Sequence, residues 1–322
     1  MNNMFLGIDI AKEKVDVALL SCHKWNARTF KNSPKGHKEL FVWLSKKEAL
    51  DCHACMEATG VYGEKLAFFL HEKQVKISVV NPACVKGFGM AELKRTKTDA
   101  ADAKMIASFC KAMQPEKWTP PAAHVRQLQA RVRRLDALTS MCQEEKNRLE
   151  IAHEDVRSDI KKSITFLEGR IKNIKNEISD HIKKHKDSQE KKKLLETIPG
   201  VGDVTIQCIL AFLGEHERFG SAKQVAAFAG LSPKQCQSGS SLHGRTRLSK
   251  TGDPRLRKAL FLPAMVARQH NPVLCDFADR LEKAGKNKMV IIGTVMRKLV
   301  QMIYGVLKHK QPFNPKIHLE SA

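Results

Sequence analysis

Phe5-Leu6-Gly7-Ile8-Asp9-Ile10 is the stretch on which the fold turns. It is apolar except for one carboxylate. After the charged residues Lys12-Glu13-Lys14 a second apolar run follows, Val15-Asp16-Val17-Ala18-Leu19-Leu20. Two short apolar runs either side of a charged turn predict a β-hairpin. An acid inside the first run is costly unless it is paired or bound to metal, which marks Asp9 for chemistry. Further along lie a helical pattern over residues 38–44, then Ala54-Cys55-Met56, which ends at Glu57 and is broken by Thr59-Gly60. Residues 61–72 predict a helix, and Ile77-Ser78-Val79-Val80 a buried strand stopped by Asn81-Pro82. A hairpin followed by strand–helix alternation predicts an α/β domain built on a mixed sheet.

Pro115, Pro120 and Pro121 mark the expected domain edge. Beyond them, Ile160, Ile164, Leu167, Ile171, Ile174 and Ile178 recur at spacings of 4, 3, 4, 3 and 4, a heptad pattern that predicts a long coiled-coil helix. Leu128, Val132, Leu135, Leu138 and Cys142 form a similar stripe upstream. With a break near residues 153–157, the two helices predict an extended hairpin or a dimerisation arm. From Leu194 the composition turns compact and apolar as far as about Pro312, and the tail beyond is expected to fray.

The 322 residues suit about two domains. Lys and Arg number 56 against 34 Asp and Glu, a formal net charge of +22, which points to a polyanionic partner, nucleic acid first. Residues 218–258 hold nine Lys or Arg and a single acid, Asp253. The longest uncharged stretch, residues 204–214, is too short to span a bilayer, and the first residues lack the pattern of a secretory signal. Nine scattered cysteines predict reduced thiols and a cytoplasmic protein. Cys52, His53 and Cys55 lack a second pair at finger spacing, which argues against zinc. Trp25, Trp43 and Trp118 form no stacking series for single strands.

Four carboxylates stand out: Asp9, Glu57, Asp99 and Asp102. Asp99 and Asp102 follow Thr98, a fitting N-cap, and at i, i+3 they share one helix face. A strand, a strand end and a helix start can converge on one edge of a sheet. Such a cluster can hold two Mg²⁺ ions that serve the attacking and leaving oxygens of a phosphodiester. Singly, each acid has a plainer reading, as a helix N-terminal or turn residue. Ile198-Pro199-Gly200-Val201-Gly202 before an apolar helix predicts the turn of a helix–hairpin–helix, in which Pro199, Gly200 and Gly202 form a nucleic-acid-binding turn: the glycines let the backbone come close and the next helix's amide N–H groups meet a DNA phosphate. A simple interhelical turn is the alternative. Ser238-Gly239-Ser240-Ser241 opens a Gly/Ser stretch, expected to be a flexible loop, that reaches Gly252 beside Arg245, Arg247 and Lys250; Arg255 and Arg257 follow. A hydroxyl among cations suits attack on phosphate, whereas the stretch alone also suits a linker.

Gly7-Ile8-Asp9-Ile10-Ala11-Lys12, Glu57-Ala58-Thr59-Gly60, Lys97-Thr98-Asp99-Ala100-Ala101-Asp102-Ala103, Ile198-Pro199-Gly200-Val201-Gly202, Phe228-Ala229-Gly230-Leu231 and Ser238-Gly239-Ser240-Ser241 occur in the order found in DEDD-type insertion-sequence transposases. The resemblance covers the chain to about Pro312. These are bridge-RNA-guided recombinases, and the resemblance implies an RNase H/RuvC-like catalytic domain over 1–115. It further implies a coiled-coil arm over 122–193, a mainly helical transposase domain with a helix–hairpin–helix and a serine loop over 194–312, and a tail over 313–322. It implies that Asp9, Glu57, Asp99 and Asp102 bind Mg²⁺, that Ser238 becomes covalently joined to DNA, and that dimers pair into tetramers. The RuvC-like domain of one subunit would complete the site around the serine of another. A structured non-coding RNA would pair with donor and target DNA. Two other readings stay open: a junction-resolving endonuclease that uses water, and a non-catalytic architectural nucleic-acid-binding protein.

Overall fold

The computed structural model describes residues 4–58, 60–93, 98–238 and 242–316. They fall into two compact units, Met1–Pro120 and Pro121–Ala322.

In the first unit β1 (Phe5–Ile10), β2 (Lys14–Ser21) and β3 (Lys24–Lys31) form an antiparallel meander. β4 (His53–Glu57) and β5 (Lys76–Val80) add in parallel beyond β1, giving the order β3-β2-β1-β4-β5. The connecting helices are α1 (Pro34–Lys46), α2 (Val61–Glu72), α3 (Pro82–Ala91) and α4 (Asp99–Met113). Successive strand side chains point to opposite faces, so β1 feeds two cores. Leu6 and Ile8 pack with Leu40, Leu44 and Leu66 of α1 and α2. Phe5 packs with Val85 of α3 and with Ile106 and Phe109 of α4. A mixed sheet with helices on both faces fits the RNase H-like α/β domain expected.

Lys14 opens β2 rather than closing a turn. β3 and α3 carry no clear periodic signal. β3 is an exposed, polar edge strand entered through Cys22 and His23, both at positive φ, in place of the Asn-Gly pair that usually marks such a turn. Asn81-Pro82 ends β5 as expected and also starts α3, because the Asn81 side chain accepts from the Ala83 amide. The first unit runs past residue 115: buried Ser78 donates to the Glu116 carbonyl at 2.7 Å and the Trp118 amide to Ile77 at 2.8 Å.

In the second unit α5 (Ala123–Ile151) and α6 (Glu154–Lys184) lie antiparallel, broken at residues 152–153. Leu138 and Cys142 pack there against Ile164 and Leu167, while Lys146 pairs with Glu168 at 2.7 Å. The chain continues through α7 (Lys186–Glu196), α8 (Asp203–Phe212), α9 (Ala222–Phe228), β6 (Pro233–Ser238), β7 (Leu242–Leu248), α10 (Pro254–His270), α11 (Pro272–Lys283) and α12 (Lys288–His309). Leu128, Val132, Ile178 and Ile182 from the base of the hairpin share one core with α8, α10 and α12, so residues 193–194 lie within a single packed body. Among the described residues α12 is long and apolar enough to cross a bilayer, but 61% of its apolar stretch is buried in this core. The chain stays docked at Phe313, whose amide donates to Thr197 Oγ1 at 2.8 Å.

Candidate active site and nucleic-acid interface

The acid cluster is assembled by one close approach. A Cβ on Gly7 would collide with the Ala103 carbonyl and the Ala107 amide, so only glycine lets α4 cross β1 there. Asp9, two residues on, faces the same side of the sheet as Gly7. Asp102 and Asp99, just before Ala103, open α4 behind the Thr98 cap, whose Oγ1 accepts from Ala101 N–H at 3.2 Å. Glu57 ends β4, the strand beside β1. Both strand acids therefore emerge at one end of the sheet.

Their electrostatics show that they share a field. Burial pushes the Asp9 carboxyl up, and Asp102, Asp99 and then Asp16 add to it, against one hydrogen bond from the Ile10 backbone. Burial also pushes Glu57 up, reinforced by Asp9 and Asp102. Among the described residues no three His, Cys, Asp or Glu side chains are placed to close on one metal ion. Asp99 is engaged elsewhere: Lys14 Nζ hydrogen-bonds its Oδ2 and pairs with Asp16 Oδ2 at 3.2 Å. These two carboxylates hold the Lys14 ammonium above its ordinary range.

Lys14, Asp16 and Thr29 are the site residues that sequence reasoning missed. Asp16 lies directly opposite Asp9 in the β1–β2 register, is only 8% exposed, and accepts from Thr29 Oγ1. The signal was present, because Asp16 is a second acid inside an apolar strand.

In the second unit, the turn between α7 and α8 holds Ile198 and Val201 in the core. Gly200 has φ +94°, and a Cβ there would lie 2.8 Å from the Ala267 backbone nitrogen. Packing against α10 demands that glycine, and the residue is half-buried. Gly202 caps α8 with open space around it, and Pro199 is half-buried.

The stretch expected to be a flexible loop is an antiparallel hairpin over its described parts. Ser238 ends β6 and pairs with Leu242 of β7; Gly239, Ser240 and Ser241 lie outside the described residues. Arg245 lies within β7, and Arg247 and Lys250 are exposed. The other cations are used differently. Arg257 donates to the carbonyls of Ala229 (3.3 Å) and Lys250 (3.2 Å), tying the end of α9 to the segment after β7 rather than standing free. Arg255 lies over the Phe212 ring and 3.8 Å from Asp253. Arg218 lies against Phe219 and Phe228 and donates to the Phe212 carbonyl, and burial lowers its pKa.

Known proteins bear on this arrangement. Residues 6–152 match a family described as transposase, and residues 192–279 match the transposase IS116/IS110/IS902 family. The pilin gene-inverting protein of Moraxella bovis is 32% identical over 321 residues, covering 99% of this chain and all of that protein. Its counterpart from Moraxella lacunata is also 32% identical over the same length. A solved structure of T. thermophilus RuvC in complex with a Holliday junction substrate aligns with 36% of this chain and 98% of its own, at 17% identity and a TM-score of 0.26. Likeness along the full length to a gene-inverting protein, with family matches in both units, makes the chain a member of the IS116/IS110/IS902 transposase family and an enzyme of DNA transposition and recombination.

Proposed function

We propose that the chain cleaves, exchanges and rejoins DNA strands with two groups, the Asp9–Glu57–Asp99–Asp102 cluster and the Ser238 hydroxyl, and that a structured bridge RNA directs it to donor and target. The carrying observation is the acid cluster, in which burial and mutual repulsion oppose ionisation of Asp9 and Glu57 in a chain of net charge +22. An all-carboxylate set of this kind suits a hard divalent cation, and these four residues would hold two Mg²⁺ ions. Bound there, the ions would supply positive charge to the attacking and leaving oxygens of a phosphodiester.

The remaining work falls to the chain. Ser238 Oγ attacks phosphorus as its proton departs; the Oγ–P bond forms, the bond from phosphorus to one deoxyribose oxygen breaks, and that oxygen takes up a proton. The phosphoserine diester conserves the bond energy, so rejoining is the reverse attack by a strand hydroxyl. Arg245, Arg247 and Lys250 neutralise the charge that builds on phosphate. The motif match supports Ser238, as does its backbone position at the end of a hairpin strand followed by exposed cations. Pro199 and Gly202 present the start of α8 to a DNA phosphate, with Gly200 holding the turn in shape. Arg255 and Arg257 support this surface from within, and dimers that pair into tetramers bring the subunits together.

The experiment traps the intermediate on a suicide DNA substrate and maps the modified peptide by mass spectrometry. An adduct on Ser238 that is lost in Ser238→Ala is the expected result. Undiminished cleavage by Ser238→Ala without any adduct would assign the attack to water and the chain to junction resolution. RNA recovered with the purified protein should be a structured transcript from the DNA flanking its gene.

A further inference from the structure

The geometry points to Lys14 as a built-in counter-ion of the acid cluster, one that holds Asp99 and competes with a divalent cation for it. The inference rests on the metal-binding reading of Asp9, Glu57, Asp99 and Asp102. Three observations carry it. Lys14 Nζ bridges two carboxylates, Asp99 Oδ2 on the first turn of α4 and Asp16 Oδ2 on its own strand at 3.2 Å. Asp16 is a fixed anchor, almost fully buried and hydrogen-bonded by Thr29 from the neighbouring strand. Asp99, by contrast, keeps 54% of its side chain exposed and sits at the start of α4, so it is the solvent-facing partner of the bridge.

The charge arrangement follows from the register. Asp9 and Asp16 face each other across β1 and β2, which places two acids side by side on one face of the sheet. Lys14, on the same face as Asp16, neutralises one of them and reaches over to Asp99. A cation tethered by a side chain thus supplies part of the compensation that a divalent ion supplies to the rest. Binding of the ion through Asp99 requires that carboxylate to leave Lys14, and the ammonium stays close, held by Asp16. Lys14 therefore lowers metal affinity in two ways, by occupying a ligand and by leaving positive charge beside the ion. Like charges held close together repel even through water, so the effect survives the 46% exposure of Lys14. Lys14 is in this sense a positioning residue: it acts on the metal through Asp99.

The test is Mn²⁺ binding to the full-length protein, read by electron paramagnetic resonance of the free ion and independent of DNA cleavage. Lys14→Gln keeps most of the side-chain length and removes the charge. It should bind Mn²⁺ about fivefold more tightly than wild type or better, with the gain shrinking as salt is raised. Lys14→Arg keeps the charge and should bind within about twofold of wild type by the same argument. Affinity of Lys14→Gln equal to or weaker than wild type would overturn the inference. Asp9→Asn and Glu57→Gln serve as controls for the underlying reading. If both bind Mn²⁺ as wild type does, the ion sits elsewhere and the metal-site reading fails, whatever Lys14→Gln does. If both lose binding while Lys14→Gln is unchanged, the site stands and only the role of Lys14 falls.

Discussion

Gly7 decides more than its size suggests. It sits where α4 crosses β1, and every acid from α4 reaches the sheet through that contact. Gly7→Ala should push α4 outward and cost about 1–3 kcal/mol, the range of overpacked core positions. Urea denaturation would measure it, and a variant as stable as wild type would show that the helix tolerates the shift. The acids behave in the opposite way. Asp9 and Glu57 have folded pKa values raised above their ordinary 3.8 and 4.5, mainly by burial. Their favourable contribution is therefore complete below those ordinary values and is lost as pH rises through the folded ones. At neutral pH without divalent ions both groups destabilise the protein. Asp9→Asn or Glu57→Gln should abolish cleavage and still raise the melting temperature. Both side chains are half-buried, so after solvent screening the gain is on the order of 0.5–1 kcal/mol, or about 2–5 °C near pH 7.5. It should shrink as the pH falls and vanish well below 3.8, where both groups are protonated in either state. A fall in melting temperature at neutral pH would mean the carboxylates are structural supports.

At the scale of elements, α5 and α6 show how far periodicity carries. Both stripes lie in the helices they predicted, and Leu138, Cys142, Ile164 and Leu167 meet along one seam. Replacing Leu167 and Ile171 together by Lys would force two charges into that seam, at several kcal/mol between them. The hairpin should become sensitive to protease between residues 138 and 174 while the first unit keeps its melting transition. A variant with native size and full activity would show that the arm is dispensable for assembly. Other elements were unreadable for definite reasons. β3 has no alternation because it is an edge strand with both faces largely in water. The 238–252 stretch looked flexible because its serines and glycines are turn formers, yet cross-strand pairing from Pro233 to Leu248 outweighs that preference over its described parts. Lys14 resembled a turn residue because its neighbours Lys12 and Glu13 are charged, and only the register with β1 reveals its place beside the acids.

For the whole molecule, Asp9 could be picked out from the sequence because a carboxylate in an apolar strand is an anomaly, and Asp99 and Asp102 because they share one helix face behind the Thr98 cap, whereas the bridge from Lys14 to Asp99 spans 85 positions and needs the fold. Likewise Arg218, Arg255 and Arg257 counted as surface charge until their contacts with Phe212, Phe219, Phe228 and backbone carbonyls were known. What composition cannot decide at all is whether acids and serine act within one chain. The acids belong to the first compact unit and Ser238 to the second, and the family resemblance implies that the site is shared between subunits. Mixing two dead variants tests this directly. On the proposed roles, Asp102→Asn lacks a needed acid and Ser238→Ala lacks the nucleophile, so each variant alone should be inactive however its sites are built. In a heterodimer, a site made within one chain always contains one defect. A site made across the interface does not: the acids of the Ser238→Ala chain meet the serine of the Asp102→Asn chain, and one site of two is whole. Random exchange makes about half the dimers mixed, so a 1:1 mixture should recover about a quarter of wild-type cleavage. The adduct should map to the Asp102→Asn chain alone, distinguishable by mass. No recovery from subunits shown to have exchanged would place acids and serine in the same chain.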